Sequence, residues 1–161
     1  MSNKLNDLNI AGARLIFRNF AGKEDEFNRA GQRNFAVVLD DPEVITQLMN
    51  EGWNIKTWVP KNNDGNLSDG ASPMYYLPVS VEYKNFPPLV YLVTGNKKKL
   101  LTEDLVNAVD YAEIINADVV ISPYCWSVSG KSGVKAYLKT AYISIAVDAF
   151  GEKYERFEDI G

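Results

Sequence analysis

The chain has 161 residues, 46% hydrophobic and 24% charged, with a formal net charge of −4, the profile of one globular domain that buries an ordinary core. It has no histidine and a single cysteine, Cys125, which excludes histidine-based acid–base or nucleophilic catalysis, an internal disulfide and a Cys/His zinc cluster. No apolar run approaches the roughly 20 residues that span a bilayer, and Met1–Leu8 is too polar for a secretory leader, so the expectation is a soluble intracellular protein with no membrane partner, metal or cofactor.

Ala13–Phe20 has strand composition, with Leu15 and Phe17 assigned to the core and Arg14, Ile16 and Arg18 to the other face. Ala21–Gly31 reads as a polar hairpin loop, and Gln32–Leu39 as a second strand with Phe35, Val37 and Leu39 inward. Asp40-Asp-Pro-Glu43 starts a helix: an Asp cap, proline in the first turn and an acid at the positive end of the dipole. Val44, Ile45, Leu48 and Met49 share its inner face and Gly52 ends it, so it would plug one end of a sheet. Trp53–Pro60 is strand-like; large aromatics such as Trp53 and Trp58 are more often core than contact surface.

Lys61–Pro73 carries every loop signal, and Met74–Lys84 then alternates as a half-buried strand in which Pro78 marks an edge or a bulge. Asn85–Pro88 turns the chain, Leu89–Thr94 is a strand, and Gly95–Lys99 is a basic turn. Thr102–Tyr111 is a short helix capped by Thr102, with Leu105, Val106 and Val109 inward. Ala117–Val128 and Val134–Val147 form a hairpin closed by Gly130-Lys131-Ser132-Gly133. About seven short strands and few helices predict a mainly β chain, a closed or partly open barrel. The domain is expected over residues 1–147. Residues 148–161 form a short tail with five acids and two bases, a net of −3.

The hairpin holds the densest chemistry. From Ile121 to Val147 there are three lysines (Lys131, Lys135, Lys139) and no acid. Tyr124 and Trp126 share one face of their strand; Lys135, Tyr137 and Lys139 share a face of the other, opposite Val134, Ala136 and Leu138. Burying a lysine–tyrosine–lysine alternation is implausible, so that stripe is wet, either a solubilising face or a ligand track. Rings and cations together suit single-stranded nucleic acid, whose bases stack while lysines follow the phosphates. Ser129-Gly-Lys-Ser132 is not a P-loop, because Cys125 stands where the first glycine is required and a strand follows instead of a helix.

Ser122-Pro-Tyr-Cys-Trp126 followed by Gly130-Lys-Ser-Gly-Val-Lys-Ala-Tyr-Leu138 resembles the final hairpin of phage replication single-stranded DNA-binding proteins. Arg14–Phe20 and Gly52-Trp-Asn-Ile-Lys56 resemble further segments of that OB-fold family, and the element order is similar from Gly12 to Val147. The resemblance implies an OB-fold-like antiparallel barrel of five strands or slightly more, with one capping helix and a second short helix. It implies a non-enzymatic protein that binds single-stranded DNA in replication, recombination or repair, in the host cytoplasm if phage-encoded. Tyr124, Trp126 and Tyr137 would stack on bases, and Arg14, Arg18, Arg33, Lys56, Lys131, Lys135 and Lys139 would meet phosphates. Such relatives often recruit replication proteins through a long acidic tail; here the tail is short and diluted by Lys153 and Arg156. Self-association stays open.

Two other readings compete. Glu82-Tyr-Lys84 with Asp64 or Asp69 would suit a Mg²⁺-dependent nuclease, which needs clustered acids for the metal and a lysine for the developing charge. A purely structural or protein-interaction β-barrel would need none of this chemistry.

Overall fold

The computed structural model describes residues 5–26, 28–59 and 72–146. The expectations for most of the Lys61–Pro73 loop, for Asp64 and Asp69, and for the 148–161 tail lie outside the described residues. In chain order the elements are β1 (Leu8–Ile10), β2 (Leu15–Asn19), β3 (Arg33–Leu39), α1 (Pro42–Glu51), β4 (Lys56–Trp58), β5 (Met74–Val81), β6 (Leu89–Thr94), β7 (Lys97–Leu101), α2 (Ala108–Tyr111), β8 (Ile114–Val128) and β9 (Lys131–Ile145).

All nine strands join one sheet whose main path is β1-β8-β9-β5-β3-β2, with β4 on β5 and the β6–β7 pair on β9. The two ends of that path, β1 and β2, are separated in the chain only by Ala11–Arg14, so the sheet curls back on itself without closing. The architecture is mainly β and OB-like, as expected. It has nine strands, against about seven read along the chain and five or slightly more implied by the resemblance, and β9 lies parallel to β5 and β6, so the sheet is not wholly antiparallel.

Period-two alternation places the core. Phe35, Val37 and Leu39 of β3, Leu77, Val79 and Val81 of β5, and Val134, Ala136 and Leu138 of β9 are all buried on one side. Helix α1 forms as its caps demand: the Asp41 carboxylate accepts from the Glu43 N–H at 3.0 Å, and Gly52 ends it at φ 96°. It buries Ile45 and Leu48, while Met49, expected inward, is exposed. Pro78 sits where it does least harm. Beside it β4 pairs only as far as Tyr76 and β9 only at Ser80, so the missing N–H falls in a gap of the ladder.

Four further expectations change. Phe17 is exposed, and Phe20 takes the core place, stacked on Phe35 at 5.1 Å. Residues 103–107 form turns, leaving only Ala108–Tyr111 helical, with Val106 and Val109 buried and Leu105 exposed. The Lys97–Lys99 run is edge strand β7, not a turn, and charges there deter pairing with another chain. The hairpin turn is Ser129-Gly130, both with positive φ, so Lys131 and Ser132 already belong to β9. Two left-handed residues in a two-residue loop match the right-handed twist of the strands they join.

Candidate nucleic-acid interface

The β8–β9 hairpin is the longest pairing in the sheet, running from Ile114↔Ile145 to Val128↔Lys131. Its outer half projects, and every β8 residue from Tyr124 to Val128 is exposed. One side of this arm is anchored by Val134, whose N–H donates to the Gly52 carbonyl at 2.9 Å and which bridges to Trp53. Trp53 itself is core, its indole N–H donating to Glu51 at 2.9 Å, whereas Trp58 is exposed on β4.

Pairing Tyr124↔Lys135, Trp126↔Gly133 and Ser122↔Tyr137 gathers the predicted rings and cations on the outward face. The Tyr124 and Tyr137 rings meet edge to face at 6.0 Å and 88°, and the Lys135 ammonium lies 5.1 Å over Tyr137. The Trp126 ring lies across Gly133 so closely that a Cβ there would stand 2.9 Å from its Cζ2. Glycine at 133 is therefore what lets the indole lie down on the strand. Lys131 is exposed beside the turn, and Arg14 and Lys56 are exposed elsewhere on the sheet.

Phe86 joins this group, which sequence reading did not anticipate. Its ring is 4.8 Å from Tyr137 and 6.2 Å from Tyr124. Glu82 places it: the two carboxylate oxygens accept from the N–H groups of Lys84, Asn85 and Phe86 at 2.9, 2.6 and 3.2 Å. Desolvation pushes the Glu82 carboxyl up, but those three N–H donors and the charge of Lys84 together hold it below its ordinary value. A phenylalanine inside an Asn/Pro turn, with an acid four residues before it, was the available signal. Glu82, the acid of the nuclease reading, is thus engaged in building a turn. No group of three or more potential metal-ligating side chains occurs among the described residues.

Three predicted cations are held by the protein itself. Arg18 donates to the carbonyls of Val109 at 2.7 Å and Ala112 at 2.9 Å, closing the end of α2. Arg33 donates to the Phe20 carbonyl at 2.9 Å, lies 3.7 Å from Glu103 and sits 5.7 Å over Tyr83. Lys139 is ion-paired with Asp7 at 2.7 Å and occupies a β-bulge, the extra residue between Leu138↔Ile121 and Thr140↔Val120. A separate group, Tyr91 stacked on Tyr142 at 5.1 Å with Lys98 4.5 Å over Tyr91, lies on β6, β7 and β9.

A curled OB-like sheet carrying rings and cations together on one open face defines the class: a β-sheet protein with an aromatic, basic surface. The chain belongs to the family described as "Putative phage ssDNA-binding domain", whose family model matches residues 1–160. The fold is similar to that of the single-stranded DNA-binding protein from bacteriophage Enc34 with a C-terminal truncation, at 10% identity and a TM-score of 0.50, covering 88% of this chain and 87% of that one. The structure of the Enc34 protein in complex with ssDNA is similar at 11% identity and a TM-score of 0.50, covering 90% and 89%. Among curated proteins no sequence matches. No described helix is long and apolar enough to cross a membrane.

Proposed function

We propose that this protein binds single-stranded DNA without catalysis and largely without regard to sequence, in phage replication or recombination within the host cytoplasm. The observation that carries the reading is membership of a phage ssDNA-binding family together with a wet face of clustered rings and lysines on the hairpin arm. Bases stack on Trp126, Tyr124 and Tyr137, with Phe86 completing the platform, because every base offers a π-face and a ring does not discriminate among them. Lys131 and Lys135 neutralise phosphates beside the rings. Arg18, Arg33 and Lys139 are assigned to holding the fold, since carbonyls and carboxylates already engage them.

Titration with oligo(dT) while following tryptophan fluorescence tests this. Quenching that weakens steeply with added salt is expected, because bound lysines release counterions from the strand. No quenching at low salt would sink the reading, and Mg²⁺-dependent cleavage of the oligonucleotide would replace it with the nuclease.

A further inference from the structure

Phe17 is the least expected residue of the outer face. Its backbone is left-handed, at φ 52°, a conformation that bulky side chains rarely adopt. Burial does not compensate, since the residue is 61% exposed. The cause is a bulge: β2 pairs at Ile16↔Ala36 and next at Asn19↔Asn34, so it uses one residue more than β3 between the two pairs. The extra residue turns Phe17 outward. Bulky residues held in sparsely populated backbone states cluster at ligand sites.

The released ring stands edge-on to Tyr76, at 5.4 Å and 74°. Tyr76 lies between Val38 of β3 and Lys56 of β4, and the Val38 N–H donates to the Arg14 carbonyl at 3.0 Å. Four neighbouring stretches of chain therefore form one transverse row, Arg14, the buried Val38, Tyr76 and Lys56, with Phe17 against Tyr76 at its middle. Arg14 and Lys56 are exposed, and among the described residues neither has an ion-pair partner. This row lies on the same side of the sheet as the hairpin rings. Tyr76, Pro78 and Ser80 alternate with the buried Leu77 and Val79, and Ser80 pairs with Tyr137. Four residues of strand, about 13 Å, separate Tyr76 from Ser80. Of the described residues between them, Ile16, Asn34 and Pro78 are half-buried and Ala36 is buried, and none is an acid.

We propose that Phe17 and Tyr76 form a second base-stacking platform, with Arg14 and Lys56 as its phosphate contacts. One DNA strand then runs from the hairpin arm across β5 and β3 to β2 and β4. The inference rests on the single-stranded DNA reading above and extends it, through continuity with the hairpin face and matching charge.

Phe17→Gly is the discriminating variant, because glycine adopts the left-handed backbone without strain while the ring is lost. Its thermal midpoint should stay unchanged or rise. Affinity for an oligo(dT) long enough to reach both platforms should fall about 5- to 150-fold, the equivalent of one lost base stack. Phe17→Tyr, which keeps a stacking ring, should bind as the wild type does. Wild-type affinity in Phe17→Gly overturns the proposal while leaving the hairpin reading intact. A midpoint that falls together with affinity identifies a packing role and overturns it as well. A wild-type protein that binds no oligo(dT) defeats the parent reading, and this one with it.

Discussion

Trp126 and Gly133 act as one unit, since the indole rests on the strand only because residue 133 has no side chain. Trp126→Ala should weaken oligo(dT) binding by about 1–3 kcal/mol and leave the salt slope nearly unchanged, because a stacking ring releases no counterions. Gly133→Ala should do part of the same at a distance: its methyl group forces the indole to swing away, lowering affinity and quenching with the thermal midpoint preserved. Arg18 and Lys135 separate two uses of a cation. Arg18→Ala removes two charge-assisted hydrogen bonds to carbonyls and should cost about 1.5–3 kcal/mol of stability with no change in salt slope. Lys135→Ala should leave stability alone and lower the slope of log affinity against log salt by about 0.7. An Arg18→Ala protein with normal stability and a reduced slope would reassign that arginine to the DNA.

The Glu82 turn shows how an element presents a ring. Three N–H groups converge on one carboxylate, and the turn they close carries Phe86 onto Tyr124 and Tyr137. The Glu82 carboxyl is held below its ordinary value, so the ionised form is the one the fold favours. Its stabilising contribution is fully present above the ordinary glutamate range and is lost as pH falls through its depressed folded value. Glu82→Gln should therefore melt a few degrees lower at pH 7, with the gap from wild type closing as the pH drops below that range. A gap that stays constant with pH would show that the charge of Glu82 does not hold the turn. The same element logic explains Lys139. The bulge beside it shifts β9 by one residue, so that Leu138 and Ala141, three apart, both face inward.

For the whole molecule, a net charge of −4 is a poor guide to its partner. Screening at physiological salt limits each charge to roughly 8 Å, so a strand lying on the hairpin senses nearby lysines more than distant acids. Binding should thus weaken with salt although protein and DNA are both anionic overall; affinity that rises with salt would show that the global charge governs. Much of the fold was legible along the chain. The Asp41 and Gly52 caps declared α1, and strand parity placed Phe35, Val37 and Leu39 of β3 and Leu77, Val79 and Val81 of β5 inward, because capping and pleat parity are local. Phe17, Phe86 and the hairpin turn were not legible in this way. Phe17 depends on how many residues β2 spends against β3, and Phe86 on where a Glu82 turn lands relative to β9. The turn moved because Ser129, not a glycine, takes one of its two left-handed positions.

By itself, the sequence determined a histidine-free, mainly β chain with a capped helix and a wet hairpin bearing Tyr124, Trp126, Lys135 and Tyr137. Tertiary structure alone decided which cations remain available and which rings meet. Arg18, Arg33 and Lys139 find their partners 91, 70 and 132 residues away, at Val109, Glu103 and Asp7. Phe17 reaches Tyr76 only through a bulge between paired strands. Periodicity shows which side of its own strand a residue takes; it carries no information about which strand lies alongside or where a ladder slips by one, and those two choices assemble this surface.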